Sequence, residues 1–470
     1  MIQVIILAGG TGEKLWPLSR QKMPKQFLKL LDNDKSLFQT TLERFLILKN
    51  NLGDELQLII VCNDTNKFLV KQQAEEVFEI DFNFKIIAEQ ISKKTTTAIV
   101  AALELCDDED KTLVITSDQI WDDQEFLECI KKVINNESNI SLIGAKPYYP
   151  ATRFGYIKAI EDNIDSFIEK PTNELAFSFI NDKKNIYLWN TGVMFFKKKI
   201  MIDEINKNYS DIVEKVKLSL KESSCINNII TLKSDHLLSV KDISIDKSVL
   251  EDYQNGKVIE YSNYWIDIDN FKSLFDFLQK DDNYNLLKSN DDNIITVDTN
   301  NCYIYSSNKL VTSIGVSDLV IVDTRDALLV AEKNASLEVN EIVKILKSRS
   351  RSEHVVNPVC YKPWGWFINL DGSDFSGHRV KKLCVYPKYR LSLQSHKERS
   401  EHLIIVEGKA RVQLGDDFHI LDENKSIYIP KGVIHRMENI GDGNLQFIET
   451  QIGSYLGEDD IIRYEDDFGR

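Results

Sequence analysis

The apolar run Val4-Ile5-Ile6 passes directly into "LAGGTGEKLWPLSRQKMPKQF" (7–27). A short apolar run ending in a glycine-rich turn reads as a buried strand whose exit loop brings backbone amides close to a ligand. Such turns commonly hold phosphate. Two familiar phosphate loops are nevertheless excluded. A P-loop needs glycine before its lysine and Ser or Thr after it, whereas Glu13 and Leu15 flank Lys14. The G-x-G-x-x-G dinucleotide fingerprint needs a third glycine where Leu15 stands. What remains is a loop in which Gly9, Gly10 and Gly12 free the backbone and Lys14 and Lys25 supply charge. A plain strand-to-helix turn with solvated lysines accounts for the isolated loop as well.

The rest of the first half alternates short apolar runs with amphipathic stretches. Strands are expected at 2–7, 57–62, 112–116 and 140–144, with amphipathic helices such as 36–50 and 66–78 between them. That alternation predicts an α/β domain over 1–285 with a mainly parallel sheet, its ligands at the carboxyl ends of the strands. After the polar stretch 280–293, residues 290–350 carry short β-rich pieces and one helix near 336–348, read as a β-helix-like connector. Residues 355–470 are β-rich with Gly and Pro turns, read as an all-β jelly-roll domain. "HLIIVEGKARVQLGD" (402–416) reads as a hairpin pivoting at Gly408, and "SIYIPKGVIHRMEN" (426–439) as strand, turn and strand.

Composition sets the partners. A net charge of −15 argues against nucleic acid, which needs a basic footprint, but not against small anions held by a few local lysines. No stretch is long and apolar enough to span a bilayer, and the N-terminus lacks a basic n-region, so no membrane association is expected. The cysteines (62, 106, 129, 225, 302, 360 and 384) are scattered and odd in number, which favours reduced thiols and the cytoplasm.

Two aspartates stand at informative places, Asp118 at an expected strand end and Asp267 in "YWIDIDNF". Together they would suit one Mg²⁺ between phosphates, since that ion takes a couple of carboxylates plus ligand oxygens. Singly, each is a turn residue or helix cap, and spacing alone does not pair them.

"LAGGTGEKLWPLSR" and "PKQF", followed by "FIEKP" (167–171), "LWNTGVMFF" (188–196) and "WIDID" (265–269), resemble the sugar-1-phosphate nucleotidyltransferases, in particular the mannose-1-phosphate guanylyltransferases. The connector and "LSLQSHKERSEHLIIVEGKA" with "YIPKGVIHRMEN" extend the likeness to the bifunctional type II form, which ends in a mannose-6-phosphate isomerase cupin. The resemblance implies that Leu7, Ala8, Gly9, Gly10, Thr11 and Gly12 cradle GTP, with Glu89 and Thr95 at the nucleotide. Lys14 stands where the family has arginine, Lys25 binds the reacting phosphates, and Asp118 and Asp267 ligate Mg²⁺. Gly155, Glu169, Lys170 and Asn190 line mannose-1-phosphate. The implied product is GDP-mannose with release of pyrophosphate.

Departures bear on specificity. Lys14 keeps the charge of arginine but loses its fork. "EQISKKTTTA" (89–98) keeps only Glu89, Thr95 and Ala98 of the family's "E-P-x-G-R-N-T-A-P-A", and Arg153 in "TRFGYI" replaces a glycine near the sugar. A related GDP-hexose is the alternative product.

In the C-terminal domain, Gln394, His396, Glu401 and His435 form a candidate metal set for Zn²⁺ or another divalent transition ion. Gln394 and His396 are two apart and share a strand face, Glu401 comes just before the next strand, and His435 follows a glycine turn. An isolated run of this kind is more often surface charge. The cupin resemblance turns it into a ligand set, with Gln394 in a histidine position as in isomerase-type members. It implies interconversion of mannose 6-phosphate and fructose 6-phosphate, with Arg399 and Lys382 or Arg463 as phosphate or oxyanion partners. "QSHKERSEHL" departs from "Q-M-H-H-H-R-A-E-H-W" at Lys397 and Glu398, and Glu398 is the expected proton-transfer base. The competing readings are a non-catalytic sugar-binding or oligomerisation cupin and a decayed nucleotide-sugar sensor. A homodimer is the expected assembly.

Overall fold

The computed structural model describes residues 1–470 except 11, 32, 54, 55, 79–81, 137, 254, 290, 291, 469 and 470. They form two compact units, Met1–His354 and Val355–Arg470. Of the expected cradle residues, Thr11 lies outside the described ones.

The first unit is built on an eleven-stranded sheet. At its centre Ile2–Leu7 pairs in parallel with Leu56–Asn63 on one side and Lys111–Thr116 on the other. Val4, Ile5 and Ile6 are wholly buried because helices cover both faces of these parallel strands. The chain builds outward from Ile2–Leu7 through Leu56–Asn63 to Phe84–Glu89, then returns to the other side of Ile2–Leu7. The reversal opens a crevice at the carboxyl ends of Ile2–Leu7 and Lys111–Thr116, where such sheets bind ligands. The helix Leu37–Leu52 starts where its sequence says it should. Ser36 Oγ accepts from Gln39 N at 3.0 Å, and Gln39 Oε1 accepts from Ser36 N at 3.0 Å, a reciprocal cap.

The sheet is less parallel than the strand–helix alternation predicts. Ile186–Lys197 runs antiparallel between Lys111–Thr116 and Ile140–Ala145, and the hairpin Tyr156–Ile160/Asn163–Ile168 continues that half. The two-residue link between Tyr156–Ile160 and Asn163–Ile168 can join only antiparallel strands, whereas the helix-bearing connection before Ile186–Lys197 leaves that strand's direction open in the sequence.

A two-stranded ribbon matters most for function. Gln119–Trp121 pairs antiparallel with Trp265–Asp267, in a register that sets Gln119 opposite Asp267. It joins segments far apart in the chain and carries Asp118 to Asp267.

Beyond the sheet, Leu286–Ser289, Tyr303–Ser306 and Leu319–Asp323 stack in parallel, with Ile294–Val297 parallel to Val311–Ile314, as in a short β-helix. Tyr303, Val320 and Val322 share one core with Leu15, Trp16 and Leu18 from the glycine loop's exit and with Phe271 and Leu274. The helix Val339–Ser348 closes this core through Val339 and Val343, and Lys347 Nζ reaches Glu13 Oε2 at 2.9 Å.

The second unit is a sandwich of a six-stranded and a five-stranded antiparallel sheet. One expected hairpin is corrected here. Arg399–Glu407 belongs to the larger sheet and Ala410–Leu414 to the smaller, so the chain crosses between sheets at Gly408. A Cβ at Gly408 (φ +87°) would sit 2.7 Å from Asn444 O, which is why the crossing uses glycine. Ser426–Ile429 and His435–Asn439 are likewise split between the sheets. Leu383, Leu403, Val412 and Phe447 fill the interior.

Candidate active sites

In the first unit, the central crevice opens into a cavity of about 590 Å³. Leu7, Gly9, Gly10, Glu89, Thr95 and Asp118 line it, together with Ser117, Lys94 and Asp242. The loop is shaped from behind. Gln26 Nε2 donates to the Ala8 and Gly10 carbonyls (3.0 and 3.2 Å), and Asn63 Nδ2 donates to the Gly9 carbonyl at 2.9 Å. Gly12 adopts φ +58°, and a Cβ there would lie 2.5 Å from Lys25 N. Loop and lysine pack too closely for any side chain.

Lys25 is the centre of the charged cluster. Its Nζ lies 2.9 Å from Asp267 Oδ1 and 3.1 Å from Asp118 Oδ2, and it donates to the Ile268 carbonyl at 2.6 Å. Burial works against charge on this lysine. Asp118, Asp267 and Asp269 outweigh it and hold the ammonium above its ordinary range. Burial also pushes Asp267 up, against the pull of Lys25 and with the repulsion of Asp118 and Asp269. Lys14 does not join Lys25. It pairs with Asp269 (2.6 and 2.8 Å), which also receives Arg153 Nη1 at 3.3 Å.

Gly155, Glu169, Lys170 and Asn190 form a neighbouring group. Asn190 N donates to Gly155 O at 2.8 Å, Lys170 Nζ lies 3.0 Å from Glu169 Oε1, and a Cβ on Gly155 would meet Glu169 Oε2 at 2.9 Å. Gln119 Nε2 donates to the Thr191 carbonyl at 2.7 Å and so ties the aspartate ribbon to this strand.

Glu89 stands apart chemically. It is buried, its Oε1 has no hydrogen-bond partner, and burial pushes its carboxyl up to about 8. A buried acceptor left open in a ligand-sized cavity points to a donor supplied from outside.

In the second unit, His396, Glu401 and His435 bring one donor atom each to within 4.8 Å of one another, all buried. Gln394 and His396 share a face of Leu393–His396, and Gln394 Nε2 lies 3.5 Å from His396 Nε2. Glu401 lies within the strand Arg399–Glu407 rather than before it, opposite Gln451. His435 opens its strand in register with Gln394. His435 Nδ1 faces the Val433 carbonyl at 3.0 Å, and its Nε2 is buried without a hydrogen-bond partner, 3.4 Å from Glu401 Oε2. A carbonyl fixing one ring nitrogen while the other waits among carboxylate and imidazole is how proteins hold transition ions. Burial disfavours charge on Glu401, but the close imidazoles of His396 (3.2 Å) and His435 prevail and keep its carboxyl well below the usual range.

The partners expected around this set are corrected in part. Glu398 is exposed; its carboxylate accepts from Ser454 Oγ at 3.1 Å and does not enter the site. Its strand neighbour Arg399 points inward and donates to Glu401 Oε1 (3.0 Å) and to the Gly457 carbonyl (3.0 Å). Lys381, one residue from the expected Lys382, lines the narrow interior cavity with Arg399, Arg463 and Glu449. Burial, reinforced by Glu401, pushes Glu449 up to about 7.

Comparison with known proteins shows the family and the domain order. A family model described as nucleotidyl transferase matches residues 3–283, one described as a MannoseP isomerase/GMP-like β-helix domain matches 292–346, and one described as mannose-6-phosphate isomerase C-terminal matches 349–466. The mannose-1-phosphate guanylyltransferase of Salmonella montevideo is 35% identical over 486 aligned residues, covering 100% of both chains. The chain belongs to the mannose-1-phosphate guanylyltransferase family. The alginate biosynthesis protein AlgA of Pseudomonas aeruginosa is also 35% identical, covering 99% of this chain and 97% of its own. Among solved structures, one described as a mannose-1-phosphate geranyltransferase from Thermus thermophilus has a TM-score of 0.61 at 26% identity, covering 74% of this chain and 99% of its own. A mannose-6-phosphate isomerase from Helicobacter pylori has a TM-score of 0.50 at 28% identity, over 57% of this chain and 99% of its own.

For this guanylyltransferase-family chain, sequence reasoning missed two carboxylates. Asp269 sits in "WIDID", yet only its partner Asp267 drew notice. Asp246 accepts from Asn190 Nδ2 at 2.8 Å, and burial, then Glu169, pushes it up to about 6. It opens a π-turn, Asp246–Leu250, a conformation that clusters at functional sites and leaves no periodic signal.

Proposed function

We propose that the first unit binds GTP in the 590 Å³ cavity and transfers its guanylyl group to mannose 1-phosphate, giving GDP-mannose and pyrophosphate. The carrying observation is the meeting of Lys25, Asp118 and Asp267 beside the glycine loop. Two carboxylates held by a single lysine, with a third close by, form a set that Mg²⁺ fits, and Asp118 and Asp267 would hold it. Bound there, the ion neutralises charge on the phosphates.

The residues of the chain carry the remaining work. Amides of the glycine loop orient the triphosphate, and Lys25 stays charged to meet the oxygens of the α-phosphate as negative charge builds on them. A sugar-phosphate oxygen attacks that phosphorus in line and pyrophosphate departs, so alignment and charge placement supply the rate. Glu89 offers its open carboxyl oxygen to a donor edge of the base. Asn190, Glu169 and Lys170, with Asp246, hold the sugar. Arg153, replacing the family's glycine, favours a related hexose as the second reading of the acceptor.

For the second unit, the buried donor set of His396, Glu401 and His435, with Gln394 beside it, supports an isomerase acting on mannose 6-phosphate and fructose 6-phosphate. A divalent transition ion fits these donors and would polarise the sugar's carbonyl and hydroxyl oxygens. Lys381, paired with Glu458 at 3.0 Å, lines the narrow cavity beside these donors. Seven cysteines, odd in number and scattered along the chain, support a cytoplasmic setting.

The test is purified full-length protein incubated with a panel of nucleoside triphosphates and hexose 1-phosphates, scored for pyrophosphate. GTP with mannose 1-phosphate is expected to lead the panel. Release that is indifferent to the base would overturn the role given to Glu89.

A further inference from the structure

The barrel interior of the second unit holds a carboxylate that belongs to no metal set. Glu449 stands on Leu445–Gly453, opposite Lys381 on one neighbouring strand and Leu403 on the other. Along that strand Leu445, Phe447, Glu449 and Gln451 are buried in alternation, so all four face the interior. The first two fill the core, Gln451 reaches Glu401 of the donor cluster, and Glu449 lies against Gln451. Gln451 Nε2 donates to Glu449 Oε1 at 2.6 Å and lies 3.2 Å from Glu401 Oε1, so one amide bridges the two carboxylates. Glu449 also lines the cavity that Gln394, Arg399 and Lys381 enter.

A buried carboxylate needs a reason to be there. Burying one costs several kcal/mol unless it is paired, and an apolar side chain would fill this sheet position more cheaply. Glu449 has one amide donor and no ion pair within 4 Å of a described lysine or arginine side chain. A structural role in holding Glu401 would fall to Gln451 without it.

We propose that Glu449 is the proton-transfer residue of the second unit, the carboxylate that removes and returns the carbon-bound hydrogen of an open-chain hexose 6-phosphate. This rests on the isomerase reading above. The step balances without a redox partner. Glu449 takes the proton from C2 of the aldose, and the C2–H electron pair moves into a C1–C2 double bond as the C1 carbonyl becomes an enediolate oxygen. The hydroxyl proton on O2 passes to O1. Glu449 then returns its proton to C1 and the carbonyl forms at C2, giving the ketose with the carboxylate regenerated. Arg399 and Lys381 stand on the same cavity wall, placed for the enediolate and the phosphate.

The experiment compares full-length wild type, Glu449→Gln and Glu449→Asp, loaded with the same divalent metal. Three quantities are read: bound metal per chain, isomerase kcat and KM, and loss of hydrogen from C2 of mannose 6-phosphate in deuterated water. The amide keeps the shape and the bond to Gln451. For Glu449→Gln the expected result is unchanged metal content, KM within about threefold, and kcat and C2 exchange both lower by about a hundredfold or more. Glu449→Asp should recover part of both. Persistence of C2 exchange in Glu449→Gln overturns the assignment alone. Loss of bound metal alongside activity overturns it too, by making Glu449 a support for Glu401. Absence of both turnover and exchange in metal-loaded wild type overturns the isomerase reading and this assignment with it.

Discussion

Lys14 and Asp269 are joined through both carboxylate oxygens, at 2.6 and 2.8 Å, and the same carboxylate takes Arg153 at 3.3 Å. Asp269 therefore anchors two cations at the rim of the proposed nucleotide site, two residues beyond Asp267. Burial alone would push Asp269 up, but Lys14 and Lys25 outweigh it and keep its carboxyl below the ordinary range. Lys14 is 48% exposed, so its pair is screened and adds little to folding. Its value lies in position. Asp269→Asn is expected to raise KM for GTP by about three- to tenfold, with a smaller change in kcat, because the two cations lose their fixed place. Steady-state pyrophosphate release checks this, and an unchanged KM would reduce Asp269 to a surface ion-pair partner.

The aspartate pair gives a sharper expectation. Asp118→Asn and Asp267→Asn each remove one of the two carboxylates in contact with Lys25 and proposed to hold Mg²⁺. Transferase kcat should fall by about a hundredfold or more in either variant. The double variant should lose little beyond the worse single one, since both act on one ion. Isomerase activity should stay at the wild-type level in all three. A drop in both activities together would mean unfolding and not loss of a site.

Much of this was legible in the chain, for stated reasons. The strand Ile2–Leu7 and the helix at Ser36 are local: an apolar run and a reciprocal cap need no tertiary information. The convergence of Asp118 and Asp267 was not local. It depends on the ribbon Gln119–Trp121/Trp265–Asp267, and a three-residue strand leaves no periodic signature. The same limit explains the misread hairpin. Alternation identifies a strand and its inward face, but cannot say which sheet it joins, so the crossing at Gly408 looked like a turn. Glu398 stands outside the donor set because the strand that buries His396 ends before it, and the exposed turn Lys397–Glu398 intervenes before Arg399 faces inward. Glu449 was hidden in "FIETQIG", an ordinary alternating strand until the barrel closes around it.

The glycines of the loop separate folding from binding. Gly12→Ala forces a Cβ to 2.5 Å from Lys25 N at a φ of +58°, and backbone cannot give way as a flexible side chain can. A loss of about 1–3 kcal/mol is expected from the backbone strain, with the clash added, visible as a lower melting temperature. At Gly10 a Cβ would meet nothing within 4 Å, yet the residue lines the cavity. Gly10→Ala should melt near wild type while binding GTP more weakly. Equal melting of the two variants would contradict the packing described for Gly12.

Metal removal from the second unit should be separable from the first. Dialysis against a strong chelator is expected to abolish isomerase activity, and Mg²⁺ alone should then restore the transferase but not the isomerase. His435→Ala and Glu401→Gln should lower bound transition metal per chain, measured by elemental analysis, whatever the activity. Full isomerase activity in metal-free protein would remove the role assigned to the His396–Glu401–His435 set.

The last expectation concerns pH and follows from Glu89. Burial raises its carboxyl from 4.5 to about 8, so the folded chain keeps a proton that the unfolded chain releases above the ordinary range. Folding is then favoured by this group below about pH 4.5. The contribution declines as pH rises toward 8 and is gone above it. The full span corresponds to on the order of 4–5 kcal/mol. Other groups titrate in the same window, so the informative quantity is the difference between wild type and Glu89→Gln, which carries no titrating carboxyl. That difference should grow in favour of the variant from pH 5 to pH 9, read as melting temperature at each pH in the absence of nucleotide. Bound GTP should narrow it if the base supplies the donor that Glu89 Oε1 lacks. Melting curves that stay parallel across the range would show that water reaches this carboxylate and that it is ionised in the folded chain.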